Sequence, residues 1–168
     1  MHTLVRCQPS NRPSSAARST IGVDLIDLAP TTAVDAAVDR VVEHIELAQF
    51  THGYGPTSTV LFGYSQGAAL ALSVAARHPH LIAGVVTVAG FLLPTEQVKQ
   101  STSPLSVLTM NGSFDALTSV EAHLSTVDRF AAAGHNVDEA VDAVPHVVDD
   151  IQVARTSSFV AQTLAIEI

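Results

Sequence analysis

A serine between two glycines is the feature of this sequence best suited to covalent chemistry. Residues 63–67 read Gly-Tyr-Ser-Gln-Gly and place Ser65 between an apolar run and a stretch rich in Ala and Leu. A serine hydroxyl is a weak nucleophile by itself and needs a base, an acid that orients the base, and donors for an oxyanion. The backbone N–H of Gln66, at the start of the following helix, would face that oxyanion. The alternative is that Ser65 is a small polar residue in an ordinary strand–helix turn.

Asp115 and His146 are the acid and the histidine that such a nucleophile requires. Asp115 lies in a loop just after the predicted strand Leu105–Met110, and His146 follows the predicted strand 136–141 in the segment DAVPH. Nucleophile, acid and histidine in this chain order, each after a strand, are typical of a nucleophile-elbow site. His146 would take the proton of Ser65 as general base, and Asp115 would orient the imidazole and stabilise its charged form.

Other acids and histidines offer competing interpretations. Asp142, Asp149 and Asp150 flank His146 and could form an ion pair with it, although acids on a surface helix are usually just solvated. The eight histidines show no H-x-x-E-H or similar spacing, so no metal site is predicted. Cys7 is more simply explained as a small buried apolar residue than as a nucleophile.

The elements that must position these residues alternate between strand and helix. Predicted strands are apolar on both faces, and one predicted helix carries Val34, Val38, Val41 and Ile45 at helical spacing. The predicted strands are 3–7, 59–62, 82–89, 105–110 and 136–141. The predicted helices are one over 32–51, one over 66–77, one from Thr118 to Gly134 and one over 147–165. This order predicts a single α/β domain over residues 1–168, with a mostly parallel three-layer sheet and helices on both faces.

The composition excludes several classes of partner. The net charge is −8 and Lys99 is the only lysine, so we expect neither nucleic acid nor an anionic membrane surface as a partner. No apolar run approaches the roughly 18 residues of a membrane helix, so no stable membrane insertion is expected. The single cysteine excludes an intramolecular disulfide and favours a cytoplasmic, reducing location. The arginines and serines of the first twenty residues faintly suggest a transit peptide, with a polar surface loop as the alternative. The sequence leaves a homodimer open.

Several motifs along the chain follow one pattern. The serine motif GYSQGAALAL stands where a known family has G-F-S-Q-G-G/A, and AGFLLP (89–94) stands where it has S-G-Y/F-L-P. NGSFDALTS (111–119) stands where it has H-G-x-x-D-x-x-V-P, and AVPH (143–146) stands where it has G-x-G-H. On these motifs the chain resembles the phospholipase/carboxylesterase family of α/β-hydrolases, which includes the acyl-protein thioesterases. The resemblance spans nearly the whole chain, since VRCQPSNRP and GVDLID also resemble upstream segments of that family.

The departures from the family pattern concern two segments. One is residues 111–119, here called the acid loop because it contains Asp115, and the other is the N-terminal part. Asn111 replaces a histidine, Thr118 and Ser119 replace Val-Pro, and Gly22 replaces a tryptophan. The family also has a strand ending in an H-G-x-G-type loop that supplies a second oxyanion donor, and this sequence shows no counterpart to it. In the family that strand lies between those resembling 3–7 and 59–62. Either residues 3–7 move over and pair with 59–62, or the true start of the protein lies upstream of Met1.

The resemblance implies a serine carboxylesterase or thioesterase that cleaves small acyl esters or thioesters through an acyl-Ser65 intermediate, with no metal and no organic cofactor. The alternative is a catalytically impaired hydrolase domain or fragment that lacks the second oxyanion donor. A cutinase-like secreted esterase also shares G-Y-S-Q-G, but such enzymes usually depend on disulfides. Tyr64, Phe91 and Leu92 are the expected substrate contacts, and the alternative for Phe91 and Leu92 is the core of a buried loop.

Overall fold

Short apolar segments form the strands of a parallel sheet in the computed structural model, which describes residues 3–7 and 31–165. The strands pair in the order in which they follow along the chain, and all four pairings are parallel. They are β1 (Thr3–Cys7), β2 (Thr59–Tyr64), β3 (Gly84–Val88), β4 (Ser106–Gly112) and β5 (Asn136–Asp142). Because the strands are parallel, the ends of β2, β4 and β5 that precede Ser65, Asp115 and His146 lie at one edge of the sheet.

Within the described residues, four helices cover the two faces of this sheet. They are α1 (Thr31–His52), α2 (Gln66–Arg77), α3 (Val120–Ala132) and α4 (Asp150–Thr163). One-turn 3-10 helices at Pro56–Ser58 and Pro79–Leu81 precede β2 and β3. None of the described helices is both long and apolar enough to cross a membrane.

The alternation of side chains along the strands separates two apolar cores. Leu61, Val85 and Val107 face one core, which also contains Phe130 of α3 and the apolar sides of α1 and α2. The residues next to them in the strands face the second core, where Phe159 of α4 packs. Helices therefore lie on both faces of the sheet, and the predicted three-layer α/β-hydrolase architecture is confirmed.

Two local predictions were wrong. Helix α3 begins at Val120 with Ser119 as its N-cap, since the Ser119 hydroxyl accepts from the Ala122 N–H at 3.1 Å. The hydroxyl of Thr118, the predicted start, instead donates to the carbonyl of Ala89 at 3.1 Å. Strand β5 is not apolar on both faces, and its residues are exposed or half-buried because it forms an edge of the described sheet.

Strand β1 lies directly beside β2. The register runs residue for residue from Thr3 opposite Thr59 to Cys7 opposite Gly63. The pairing of residues 3–7 with the strand before Ser65, which the sequence analysis offered as one expectation, is therefore present in the structure. The expectations for the Cys7 side chain, for the polar segment 8–20 and for the apolar segment 22–28 lie outside the described residues.

Candidate active site

Ser65 lies in a sharp, strained turn between β2 and α2. Its backbone adopts φ 55° and ψ −121°, a conformation that costs a non-glycine residue about 1–3 kcal/mol and that only the surrounding structure can enforce. The Ser65 N–H donates to the Val88 carbonyl of the neighbouring strand at 2.9 Å. A Cβ atom at Gly63 would collide with the Gly67 carbonyl, so the glycine before the serine allows α2 to fold back against β2. This is the geometry of a nucleophile elbow.

His146 meets Ser65 from the loop that follows β5. Its Nε2 lies 2.9 Å from the Ser65 Oγ, although the two residues are 81 positions apart in the sequence. The Tyr64 hydroxyl donates to the His146 carbonyl at 2.9 Å, and the two rings lie 5.2 Å apart at 41°. The His146 side chain is 19% exposed, so one side of the imidazole remains open to solvent.

Asp115 completes the chain of hydrogen bonds. Its Oδ2 lies 2.7 Å from Nδ1 of His146, and its Oδ1 accepts the backbone N–H groups of Leu117 at 2.8 Å and Thr118 at 2.9 Å. The side chain is fully buried, and burial alone would raise the pKa of Asp115. The hydrogen bonds from Thr118, His146 and Leu117 outweigh burial and hold the pKa below its usual value. Asp115 is therefore a carboxylate at neutral pH.

This charge distribution sets the tautomer of His146. A carboxylate oxygen can only accept, so Nδ1 of His146 carries a proton, and the neutral ring then has its lone pair on Nε2. That lone pair lies at hydrogen-bond distance from the Ser65 hydroxyl. The three side chains predicted from the sequence are thus brought together in the order Asp115, His146, Ser65.

Asn111, to which the sequence alone assigned no role, is hydrogen-bonded to the backbone of the loop that carries Asp115. It is fully buried at the end of β4, and its Nδ2 donates to the carbonyls of Thr118 at 3.0 Å and Gly112 at 3.2 Å. Its Oδ1 has no partner among the described residues. The departure from the family pattern at this position was visible in the sequence, but its contacts depend on the fold of residues 111–118.

The backbone N–H of Gln66 lies at the start of α2. The Ser65 carbonyl accepts from Ala68 at 2.9 Å and from Ala69 at 3.2 Å, so the first turn of the helix begins directly after the serine. As the first residue of α2, Gln66 has no acceptor for its N–H within the helix, and the helix dipole adds a partial positive charge there. The Gln66 N–H is therefore suited to face negative charge that develops beside Ser65.

The expected substrate contacts fall into two groups. Tyr64 and Phe91 are half-buried. Leu92 is 3% exposed, belongs to the first core cluster, and its N–H donates to the Thr126 hydroxyl at 2.8 Å. Leu92 is therefore a core residue, and substrate contact by Tyr64 and Phe91 stays a prediction.

The competing acids are engaged elsewhere. Asp149 is the N-cap of α4, where its side chain accepts from the Gln152 N–H at 2.7 Å and the Gln152 side chain reaches back in a capping box. Asp142 forms an ion pair with Arg155 of the same helix. Asp150 is exposed in the first turn of α4, a position that the helix dipole favours for a carboxylate.

Two further histidines have structural partners that the sequence did not reveal. His135 Nδ1 accepts from the Leu105 N–H at 3.1 Å, so its other nitrogen donates to the Lys99 carbonyl at 2.9 Å. His123 is fully buried between Thr109 and Glu139. Burial lowers the pKa of His123, although the carboxylate of Glu139 opposes the shift. Within the described part of the chain, no group of three or more His, Cys, Asp and Glu residues could hold a metal ion.

Comparison with solved structures shows the same fold in several proteins. SOBER1 from Arabidopsis thaliana superposes with a TM-score of 0.71 at 21% identity, and the match covers 80% of this chain and 66% of that one. A carboxylesterase from Bacillus cereus gives 0.72 at 17% identity, over 79% of this chain and 63% of that one. A phospholipase/carboxylesterase from Dyadobacter fermentans gives 0.69 at 20% identity, over 79% and 67%. This chain thus spans about two thirds of their length.

The sequence comparisons agree with the fold. No curated protein matches the chain. The family model described as phospholipase/carboxylesterase matches residues 24–164, which is most of the 168 residues. The chain therefore belongs to the phospholipase/carboxylesterase family of α/β-hydrolases.

Proposed function

We propose that this protein is a serine hydrolase that cleaves carboxylic ester or thioester bonds of small acyl substrates through an acyl-Ser65 intermediate. The observation that carries the proposal is the continuous hydrogen-bonded chain from Asp115 through His146 to Ser65, with separations of 2.7 Å and 2.9 Å. These atoms come from three loops that meet at one edge of the sheet. The strained conformation of Ser65 adds support, since such strain is concentrated at functional sites.

The first half of the reaction acylates Ser65. Nε2 of His146 accepts the hydroxyl proton while Oγ attacks the carbonyl carbon of the substrate, and a tetrahedral oxyanion forms. Asp115 stabilises the imidazolium that results, and the Gln66 N–H donates to the oxyanion. The imidazolium then protonates the leaving alcohol or thiol as the C–O or C–S bond breaks, which leaves the acyl group on Ser65.

The second half repeats these steps with water. His146 takes a proton from a water molecule, the hydroxide attacks the acyl carbon, and the proton returns to Ser65 Oγ as the carboxylic acid leaves. His146 and Asp115 return to their starting protonation states. The cycle therefore needs neither a metal nor an organic cofactor.

The surroundings of the site favour an apolar acyl group. Phe114 and Leu117 flank Asp115 and are 70% and 72% exposed, and Val147 follows His146 and is 39% exposed. Apolar side chains exposed beside a reactive group offer a surface that an acyl chain can cover.

We place the protein in the cytoplasm, because a single cysteine cannot form an intramolecular disulfide.

A second candidate function is a hydrolase-fold domain with impaired turnover. The observation that favours it is the direct pairing of β1 with β2, the place where the family pattern inserts the strand that precedes its second oxyanion donor. Loss of one such donor costs about 3–4 kcal/mol, or a factor of roughly a hundred to a thousand in rate.

Labelling with a fluorophosphonate, which reacts with activated serines, tests the proposal directly. The folded protein is incubated with the probe and the modified peptide is identified by mass spectrometry. We expect modification at Ser65 that disappears in Ser65→Ala and falls sharply in His146→Ala, whereas the matched control Ser157→Ala, an exposed serine on α4, labels normally. Absence of label on the folded wild-type protein would refute the proposal.

Hydrolysis of a p-nitrophenyl ester then separates the two candidate functions. Steady turnover by the wild-type protein supports the esterase. Labelling of Ser65 without turnover supports the impaired domain, because the nucleophile and base are then assembled but the deacylation or oxyanion step fails.

A further inference from the structure

The hydroxyl group of Tyr64 is committed to the backbone of His146. Tyr64 ends β2 immediately before Ser65, and its hydroxyl donates to the His146 carbonyl at 2.9 Å across 82 positions of sequence. The Tyr64 ring also lies against the imidazole, with ring centroids 5.2 Å apart. One side chain therefore contacts His146 at both its backbone and its ring.

The loop that carries His146 has little regular structure to hold it. Residues 143–149 join β5 to α4. The hydrogen bond from Val144 to Asp142, the last residue of β5, and the bond from Val147 to Pro145 each join residues only two positions apart, and neither involves His146. The Phe114 N–H of the acid loop donates to the Val144 carbonyl at 3.2 Å, and Val144 lies two residues before His146. The Tyr64 hydroxyl attaches His146 itself to the strand that also leads into Ser65.

We propose that Tyr64 is a positioning residue for the reaction proposed above, and that its hydroxyl holds the His146 backbone so that Nε2 stays in line with the Ser65 hydroxyl. The inference rests on the proposed function. Tyr64 and Ser65 are adjacent in the chain. The Tyr64 side chain and one peptide unit therefore fix the position of His146 relative to Ser65. Displacement of a reacting group by about 1 Å can cost a factor of roughly a hundred in rate.

This role differs from the substrate contact expected for Tyr64. The hydroxyl proton is already used by the His146 carbonyl, so the hydroxyl cannot also donate to a substrate without breaking that bond. Burial and the nearby charge of Asp115 raise the pKa of Tyr64, and the hydroxyl therefore remains a donor throughout the neutral pH range.

The test compares Tyr64→Phe with Tyr54→Phe. The chain has two tyrosines, so Tyr54→Phe is a matched control that removes a hydroxyl far from His146, just beyond α1. For Tyr64→Phe we expect kcat for a p-nitrophenyl ester and the fluorophosphonate labelling rate to fall about three- to tenfold, with KM unchanged. Tyr54→Phe keeps the wild-type values. An unchanged kcat in Tyr64→Phe, or a raised KM at wild-type kcat, would overturn the inference.

Hydrogen–deuterium exchange provides a readout that does not depend on turnover. In Tyr64→Phe we expect faster exchange of the amides in residues 143–149, while the amides of β2, β3 and β4 exchange as in the wild-type protein. Unchanged exchange in residues 143–149 would show that the Tyr64 hydroxyl does not hold the His146 loop, and this result would count even if the wild-type protein proved inactive. If the wild-type protein showed neither labelling nor turnover, the proposed function would be refuted. Faster exchange in Tyr64→Phe would still support the role of the Tyr64 hydroxyl in holding the His146 loop.

Discussion

Replacement of Asp115 by asparagine gives the sharpest test of how the acid sets the chemistry of His146. In the wild-type protein, Oδ1 of Asp115 accepts two backbone N–H groups at 2.8 Å and 2.9 Å, and Oδ2 accepts from His146 at 2.7 Å. The asparagine side chain has the same shape but only one oxygen. The two N–H donors fix the position of that oxygen, so the amide NH₂ must point at Nδ1 of His146.

The consequence follows from the tautomer. Facing an NH₂ group, Nδ1 of His146 must be the acceptor, and the neutral imidazole then carries its proton on Nε2. A protonated Nε2 cannot take the proton of Ser65, although it still lies beside the hydroxyl. We expect kcat to fall by about 10⁴-fold, equivalent to about 5 kcal/mol of transition-state stabilisation.

The assay is steady-state hydrolysis of a p-nitrophenyl ester together with the rate of fluorophosphonate labelling. Asp149→Asn is the matched control, because Asp149 caps α4 through its side-chain oxygen and asparagine caps a helix equally well. Circular dichroism and a thermal melt verify that both variants are folded. Activity of Asp115→Asn within tenfold of the wild-type protein would refute the reasoning, since Asp115 would then not control the tautomer of His146.

Three further predictions concern stability. Ser119→Ala removes the N-cap bond to Ala122 and should lower the free energy of unfolding by about 1 kcal/mol in urea titrations, while Ser113→Ala, an exposed serine in the acid loop, should change it little. Gly63→Ala places a Cβ against backbone and should destabilise by more than about 3 kcal/mol or prevent folding, and a wild-type melting temperature would contradict this. Because the pKa of Asp115 is lowered on folding, its ionisation contributes stability that is full above its usual pKa of 3.8 and is lost as the pH falls through the lowered value. The decline in unfolding free energy of the wild-type protein below pH 4 should therefore be steeper than that of Asp115→Asn.

Local sequence patterns predicted most of the scaffold. Apolar residues at helical spacing identified the buried side of α1, and the helix predicted over 66–77 is α2 as observed. The order of serine, acid and histidine after successive strands, together with the parallel sheet, was sufficient to predict that Ser65, Asp115 and His146 lie at one edge. These features could be predicted because they depend on the periodicity of apolar residues over short windows and on the order of the elements along the chain.

The sequence by itself thus determined the fold class and the candidate nucleophile, acid and histidine, since these follow from local residue patterns and from the parallel direction of the strands. The tertiary structure alone decided which donor satisfies which acceptor. The Tyr64 bond to His146 joins segments that meet only after the sheet has formed, and the ion pair of Asp142 with Arg155 requires α4 to fold back toward the end of β5. In the folded structure the Thr118 hydroxyl donates to the Ala89 carbonyl, and Ser119 is therefore the N-cap of α3. Hydrogen bonds act over about 3 Å, and residues 31 to 82 positions apart reach that distance only through the packing of the whole chain.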